Sequence, residues 1–175
     1  MSSANVAVFG SYLLPSSVAT GRDLAHLLME LERIDNEMTA AAVHHDTEGE
    51  NQNENKEVFI PDLVHEFLEK NEFSLDNTND RSEMITQLRL LKRKAPVVHM
   101  AFAAEADSSI LGELVNWFRD SVHPQTILVV GYQPALVAGA YIRTPNHIYD
   151  LSLRSAFKQG REKLLGELEA LRGDK

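Results

Sequence analysis

Apolar residues recur every three or four positions through the first half of the chain, which is the spacing of one face of an α-helix. The first repeat follows Thr20 and Asp23, a pairing typical of a helix start. The second begins at Pro61, and the third opens at Asp80 and Glu83. The apolar positions of the three repeats are Leu24, Leu27, Leu28, Leu31, Ile34 and Met38; Ile60, Leu63, Val64, Phe67 and Leu68; and Met84, Ile85, Leu88 and Leu91. The first half is therefore predicted to be helical.

The spacing of apolar residues changes after Pro96. Short continuous apolar runs there precede and follow a single repeat with helical spacing. Val97–Ala103 is compatible with a β-strand, Asp107 and Ser108 can cap a helix, and Thr126–Tyr132 is a second apolar run. The helix between the two runs carries Ile110, Leu111, Leu114, Val115 and Phe118 on one side. A strand, a helix and a strand in this order predict two parallel neighbours in one sheet.

The end of the chain predicts a hairpin and a long helix. Two apolar stretches, 137–143 and 147–149, flank Pro145 and Asn146, which suit the middle of a turn. The closing helix has apolar residues at Leu153, Phe157, Leu164, Leu168 and Leu171. The element order of this part is then β-α-β-β-β-α. We predict an α+β fold, with a helical domain over residues 1–94 and a small α/β domain with a mixed sheet over residues 95–175.

One segment, residues 44–57, interrupts the helical pattern. It contains one glycine, several Asn and Glu residues and no apolar residue, so it cannot bury enough surface to become ordered. A flexible acidic loop is predicted there. The chain has no apolar run of about 18 residues, and no basic residue precedes its short N-terminal apolar patch. Neither direct membrane insertion nor a secretory signal is expected.

Charge and composition narrow the classes of function. The net charge is −9; residues 1–94 carry 17 acidic against 9 basic side chains, and residues 95–175 carry 9 against 8. Binding of phosphate backbones rests on clustered Lys and Arg, so a nucleic-acid partner is not expected. The absence of cysteine excludes thiol catalysis, disulfides and thiolate metal sites, and it fits a cytoplasmic location.

The segment from Pro134 to Phe157 carries the polar residues of most interest. If Pro145 and Asn146 form the turn, Arg143 faces Ile148, and Asp150 lies diagonally on the same sheet face, which makes an Arg143–Asp150 ion pair possible. Ser152 or Asp150 can accept a hydrogen bond from the first N–H groups of the last helix. These residues are interpreted as structural.

The same segment resembles the C-terminal signature of the delta subunit of F-type ATP synthases, a family that includes the mitochondrial oligomycin-sensitivity-conferring protein. That signature has a Pro-x-Leu-Ile-Gly-Gly entry, an apolar strand ending in Arg, a turn, Asp-Gly-Ser and a basic, Leu-rich helix. The chain departs from it at Ala138 and Leu151, where the family has Gly, and at Gln133, where an acid is common. The matching positions, without a gap, are Pro134, Leu136, Val137, Gly139, Ile142, Arg143, Asp150, Ser152 and Arg154.

The resemblance covers Val97–Leu171 and implies a stator subunit that performs no catalysis and needs no cofactor or metal. The helical domain would bind the N-terminal segments of the alpha subunits, and the C-terminal domain would hold the b-subunit stalk. The protein would then lie on the cytoplasmic side of the inner membrane, as a peripheral part of the complex. The family's opening Tyr-Ala-x-Ala-Leu pattern is absent from the first half.

Other interpretations of individual residues are less favoured. The stretch from His44 to Glu48 offers imidazoles and carboxylates to a transition metal, although such a cluster in a mobile loop rarely forms a closed site. His65 and His99 lie among apolar residues and are interpreted as core or edge histidines. Trp117, beside Phe118, is a core residue or, less favoured, an anchor for a partner helix.

A different class of function remains as the alternative. A small stand-alone α/β enzyme or ligand-binding protein would use the strand ends near Ala103 and Gly131. No set of residues for nucleophilic or acid–base catalysis can be assembled from the sequence, which favours the interaction protein.

Overall fold

The computed structural model describes residues 12–47, 58–144 and 146–173, and these form two compact units. The first unit comprises the chain through Pro96 together with Leu111–Ile127. The second comprises Val97–Ile110 and Leu128–Lys175. A helical N-terminal part precedes a part that contains a four-stranded mixed sheet, which confirms the predicted α+β class.

Helix α1 (Gly21–Thr47) opens the first unit and starts where the sequence predicts. The backbone N–H of Thr20 donates to Asp23 Oδ2 over 2.8 Å, and the N–H of Asp23 donates back to Thr20 Oγ1 over 3.4 Å. This reciprocal capping box satisfies N–H groups that no helical carbonyl can reach. The helix continues through His44 to Thr47, so the predicted loop begins too early, and its remaining residues 48–57 lie outside the described ones.

Helices α2 (Asp62–Asn71) and α3 (Thr78–Lys94) complete the predicted helical set. Helix α3 starts before Asp80, because the side chain of Asn77 caps it by accepting the N–H of Asn79 over 3.0 Å. The three helices share a core at the spacings that the sequence predicts. Its buried members include Leu24, Leu27, Leu31, Ile34, Val64, Phe67, Met84, Leu88 and Leu91, together with Ile127.

Residues 12–20, which we call the N-terminal strap, run along the first unit and are held by side chains of α2. Asn71 accepts the N–H of Leu13 over 2.7 Å and donates to its carbonyl over 2.9 Å. The Lys70 ammonium donates to the carbonyl of Leu14 over 3.2 Å. Leu14 itself is buried, so the strap contributes to the core as well as to the hydrogen bonding.

Helix α4 (Ser108–Ser121) binds the same strap through a buried arginine. The Arg119 guanidinium donates to the carbonyls of Leu14 and Pro15 over 3.1 and 2.9 Å, to that of Val18, and to that of Thr126 over 3.3 Å. Burial lowers the pKa of Arg119 to about 10. These bonds explain why Leu111–Ile127 groups with the helical unit, whereas the sequence placed this segment in a domain of residues 95–175.

The second unit is built on a sheet of four strands, β1 (Val97–Phe102), β2 (Ile127–Tyr132), β3 (Gly139–Arg143) and β4 (Ile148–Ser152). Their order in the sheet is β2-β1-β3-β4. Strand β3 pairs antiparallel with both β1 and β4, and helix α5 (Leu153–Gly173) follows β4 directly. The predicted order β-α-β-β-β-α is confirmed.

The register of the hairpin also follows the sequence. Arg143 lies opposite Ile148, as the Pro145–Asn146 turn predicts. Beside this pair, the N–H of Thr144 donates to the carbonyl of His147 over 2.9 Å. Because opposite residues share a sheet face, one face runs from buried Met100 across β3 to Tyr149, which is 50% exposed.

Candidate protein interface

The residues singled out from the sequence lie together in the second unit, at the entry and exit of the hairpin. Pro134 and Leu136 form a short 3-10 helix, and Leu136 is buried at its end. The chain then turns at Val137, whose φ of 67° is unusual for a β-branched residue. The N–H of Ala138 donates to the carbonyl of Leu136 over 2.8 Å, which closes a three-residue turn around Val137. Sequence patterns gave no sign of this strained turn.

Gly139 starts β3 at a position that only glycine fits. Its φ is +89°, and a Cβ there would overlap the carbonyl oxygen of Leu151 on the adjacent strand. Ala138 and Leu151, which stand where the family has glycine, do not have positive φ values. Both departures are therefore compatible with the backbone, and the second glycine of the signature is the one that the turn requires.

Asp150 and Ser152 connect the hairpin to α5. The N–H of Ser152 donates to Asp150 Oδ1 over 3.0 Å, and the N–H of Ser155 donates to Ser152 Oγ over 3.2 Å. Ser152 is thus the helix cap, one of the two options that the sequence left open. The Ser152 hydroxyl and N–H, followed by weaker effects of Ser155 and Arg154, lower the pKa of Asp150.

Arg143 and Arg154 are both exposed and make no ion pair among the described residues. The Arg143–Asp150 ion pair does not form. The carboxylate of Asp150 is turned along its own strand toward Ser152, so the diagonal cross-strand contact is lost. Arg143 instead lies at the end of β3, opposite Ile148, with its charge in solvent.

Large apolar side chains are exposed on β4 and along α5. We call them together the β4–α5 surface. Leu153, Phe157 and Leu168 lie within about 60° of one another around the helix axis, because they are separated by four and eleven residues. The exposed fractions of its members are 50% for Tyr149, 62% for Leu151, 38% for Leu153, 68% for Phe157, 47% for Leu165 and 53% for Leu168. Such a series on one strand and one helix is typical of a protein interface.

Basic side chains border the stripe of Leu153, Phe157 and Leu168 on one side, and Leu165 lies among them. Arg154, Lys158 and Arg161 are exposed and recur at the spacing of one helix face, next to the apolar stripe. Helix α5 is therefore amphipathic, with a positive border. The sequence shows the apolar spacing, but only the structure shows that this stripe is exposed along α5.

The candidate metal ligands do not assemble in the described ranges. His44 lies in the last turns of α1, and Glu48 lies outside the described residues. His65 is exposed and pairs with Glu69 over 3.6 Å, while His99 lies exposed on β1, so neither is a core histidine. Residues 12–47, 58–144 and 146–173 contain no group of three His, Asp or Glu side chains that could hold a metal.

A polar cleft of about 250 Å³ lies between α1 and α3 in the first unit. Arg89 pairs with Glu32 over 2.7 Å beside it. The cleft is lined by Glu32, Asp35, Asn36, Ser82, Ile85, Thr86 and Arg89. It is distant in sequence from the strand ends near Ala103 and Gly131, where the alternative of a ligand-binding protein placed its site.

Two comparisons with known sequences identify no relative. A scan against models of protein families finds no match, and a search of curated proteins finds none. The resemblance to the delta-subunit family therefore rests on the motif residues and stays a prediction. In the part of the chain that the structure describes, no helix is long and apolar enough to cross a membrane.

Proposed function

We propose that this protein is a non-catalytic stator subunit in the peripheral stalk of a rotary F-type ATP synthase. It would link the alpha subunits of the catalytic head to the b-subunit stalk, on the cytoplasmic side and peripheral to the inner (plasma) membrane. The observation that carries the proposal is the β4–α5 surface, which overlaps the last residues that match the delta-subunit signature, Asp150, Ser152 and Arg154.

The chemistry of this surface suits a helical partner. An amphipathic helix can cover the stripe of Leu153, Phe157 and Leu168. Because these side chains are already partly buried, covering their exposed parts would contribute on the order of 1 kcal/mol each. Arg154, Lys158 and Arg161 along one border would favour acidic residues on the partner. We therefore propose that the contacting part of the b subunit is an amphipathic helix with an acidic flank.

The helical unit would bind the alpha subunits, as the resemblance implies. A subunit of this kind resists torque and needs no reacting groups. The proposal therefore assigns no chemistry to the residues of the polar cleft or to the histidines.

Affinity purification of the tagged full-length chain from its own cells tests the proposal. The wild-type protein should bring down the alpha and b subunits of the ATP synthase. Replacing Phe157 with serine should release the b subunit, because a polar group would enter the apolar contact. Phe59 is a matched control, since it is 73% exposed against 68% for Phe157 and lies in the first unit.

The control variant Phe59→Ser should retain the b subunit. Loss of b from both variants to the same degree would argue against a specific role for the β4–α5 surface. Purification of an intact ATP synthase that lacks this chain and contains another delta subunit would disprove the stator function itself.

A further inference from the structure

Trp117 is the single tryptophan of the chain and lies in α4. The sequence favoured a core position for it, yet 59% of its surface is exposed, while its neighbour Phe118 is 4% exposed. Trp117 is exposed because it lies outside the buried side of α4, which Val115, Phe118 and Arg119 occupy. Burial of large aromatics is the usual outcome, so an exposed tryptophan on a rigid helix needs a different explanation.

Two carboxylates lie beside the indole. Glu113 precedes Trp117 by four residues and Asp120 follows it by three, so they lie one turn before and one turn after it on the same side of the helix. Both are exposed, and neither takes part in an ion pair among the residues that the structure describes. We call Glu113, Trp117 and Asp120 the α4 acidic–aromatic face.

This face is held in place before any partner arrives. The ring of Trp117 meets that of Phe118 edge to face, with centroids 4.9 Å apart and an interplanar angle of 78°. On the opposite side of the helix, Arg119 ties α4 to the carbonyls of Leu14 and Pro15. A preorganised aromatic loses little conformational entropy on binding, which is a property of interface hot spots.

We propose that the α4 acidic–aromatic face binds an arginine-bearing segment of a partner protein. A guanidinium stacks on an indole face through cation–π attraction, and it pairs with carboxylates by its planar N–H groups. Two carboxylates about 10 Å apart along the helix suit arginines spaced by two turns of a partner helix. The same negative charges repel nucleic acids and anionic lipids, so a basic protein segment is the occupant that the charge selects.

The single tryptophan makes the proposal directly measurable in the full-length protein. The probe is an alanine-based helical peptide of about 15 residues with arginines at two-turn spacing. Its addition should change the Trp117 emission in a saturable way, and a peptide with glutamine in place of arginine should not. Replacing Glu113 with Gln and Asp120 with Asn together should weaken binding of the arginine peptide about tenfold, since two exposed charge pairs are lost.

The double variant Asp62→Asn and Glu69→Gln removes the same charge from α2 and serves as the control. It should bind the arginine peptide as the wild type does. Equal emission changes with the arginine and glutamine peptides, no change with either, or equal weakening by the two double variants would each overturn the proposal. The stator function does not depend on the outcome, because the β4–α5 surface belongs to the second unit.

Discussion

Two residues at the entry of the hairpin, Val137 and Gly139, have backbone conformations that the fold requires. Gly139 has positive φ, and its missing Cβ leaves room for the carbonyl of Leu151. Val137, two residues before, adopts positive φ with a branched side chain and is 69% exposed. The glycine therefore relieves a clash that no side chain could avoid, whereas the valine is accommodated at a cost in backbone strain.

Replacing Gly139 with alanine should destabilise the protein by about 2–3 kcal/mol, through a strained φ and a forced separation of β3 from β4. Chemical denaturation of the full-length chain measures this loss. Gly131→Ala is the control, because a Cβ at Gly131 would only make an ordinary contact of 3.8 Å with the carbonyl of Met100. Equal stability of the two variants would contradict the strained geometry at Gly139.

Asp150 gives a pH-dependent prediction at the same scale. Hydrogen bonds from Ser152 lower its pKa below the ordinary value of 3.8. The folded state therefore binds the proton less readily than the unfolded state, and the stabilisation is present above pH 3.8 and lost as the pH falls through the folded pKa. Asp150→Asn should lower the melting temperature at neutral pH and reduce its further loss in acid.

Thermal melts of the wild type and Asp150→Asn between about pH 6 and pH 2 test this dependence. Glu105→Gln, which removes an exposed acid from the same unit, is the control and should leave the acid-induced loss close to that of the wild type. If Asp150→Asn and wild-type melting temperatures fell in parallel, the Ser152 hydrogen bonds would not favour the carboxylate.

For helices and strands, the sequence predicted correctly those features that depend on residues a few positions apart. The capping box at Thr20 and the facing of Arg143 and Ile148 follow from residue types a few positions apart, and both are confirmed. The exposure of Trp117 depends on which side of α4 meets the rest of the fold, and this is set by residues about a hundred positions away. No local pattern carries that information.

Arg119, the buried arginine of α4, allows a prediction about how α4 is attached to the N-terminal strap. Arg119→Met keeps an apolar stem of similar length but removes the donors for the carbonyls of Leu14, Pro15 and Val18. The carbonyls of Leu14 and Pro15 keep the Lys70 ammonium and the N–H of Val18 as donors, but the charge-assisted hydrogen bonds of the buried guanidinium are lost, which should cost about 3 kcal/mol. Urea denaturation should show a lower midpoint for Arg119→Met, whereas Arg93→Met, at an exposed position of α3, should match the wild type. Similar midpoints for both variants would mean that the strap is held without Arg119.

For the whole molecule, the two compact units do not correspond to two continuous halves of the chain. The change in net charge and in the spacing of apolar residues near Ala95 predicted a division into residues 1–94 and 95–175. The contacts instead return to the helical unit for Leu111–Ile127, and Ile127 is a buried member of its core. A boundary read from composition marks where the pattern changes, but it does not reveal a segment that packs back across that boundary.

This interleaving predicts how fragments behave. A fragment of residues 1–96 lacks Arg119 and Ile127, so the N-terminal strap keeps only its bonds to α2 and the core loses a buried side chain. A fragment of residues 1–127 keeps both. Circular dichroism should show a cooperative melt for residues 1–127 and a shallow, non-cooperative one for residues 1–96. Equal, cooperative melts would show that α1, α2 and α3 form an independent domain, and α4 would then be an addition to a core that is already complete.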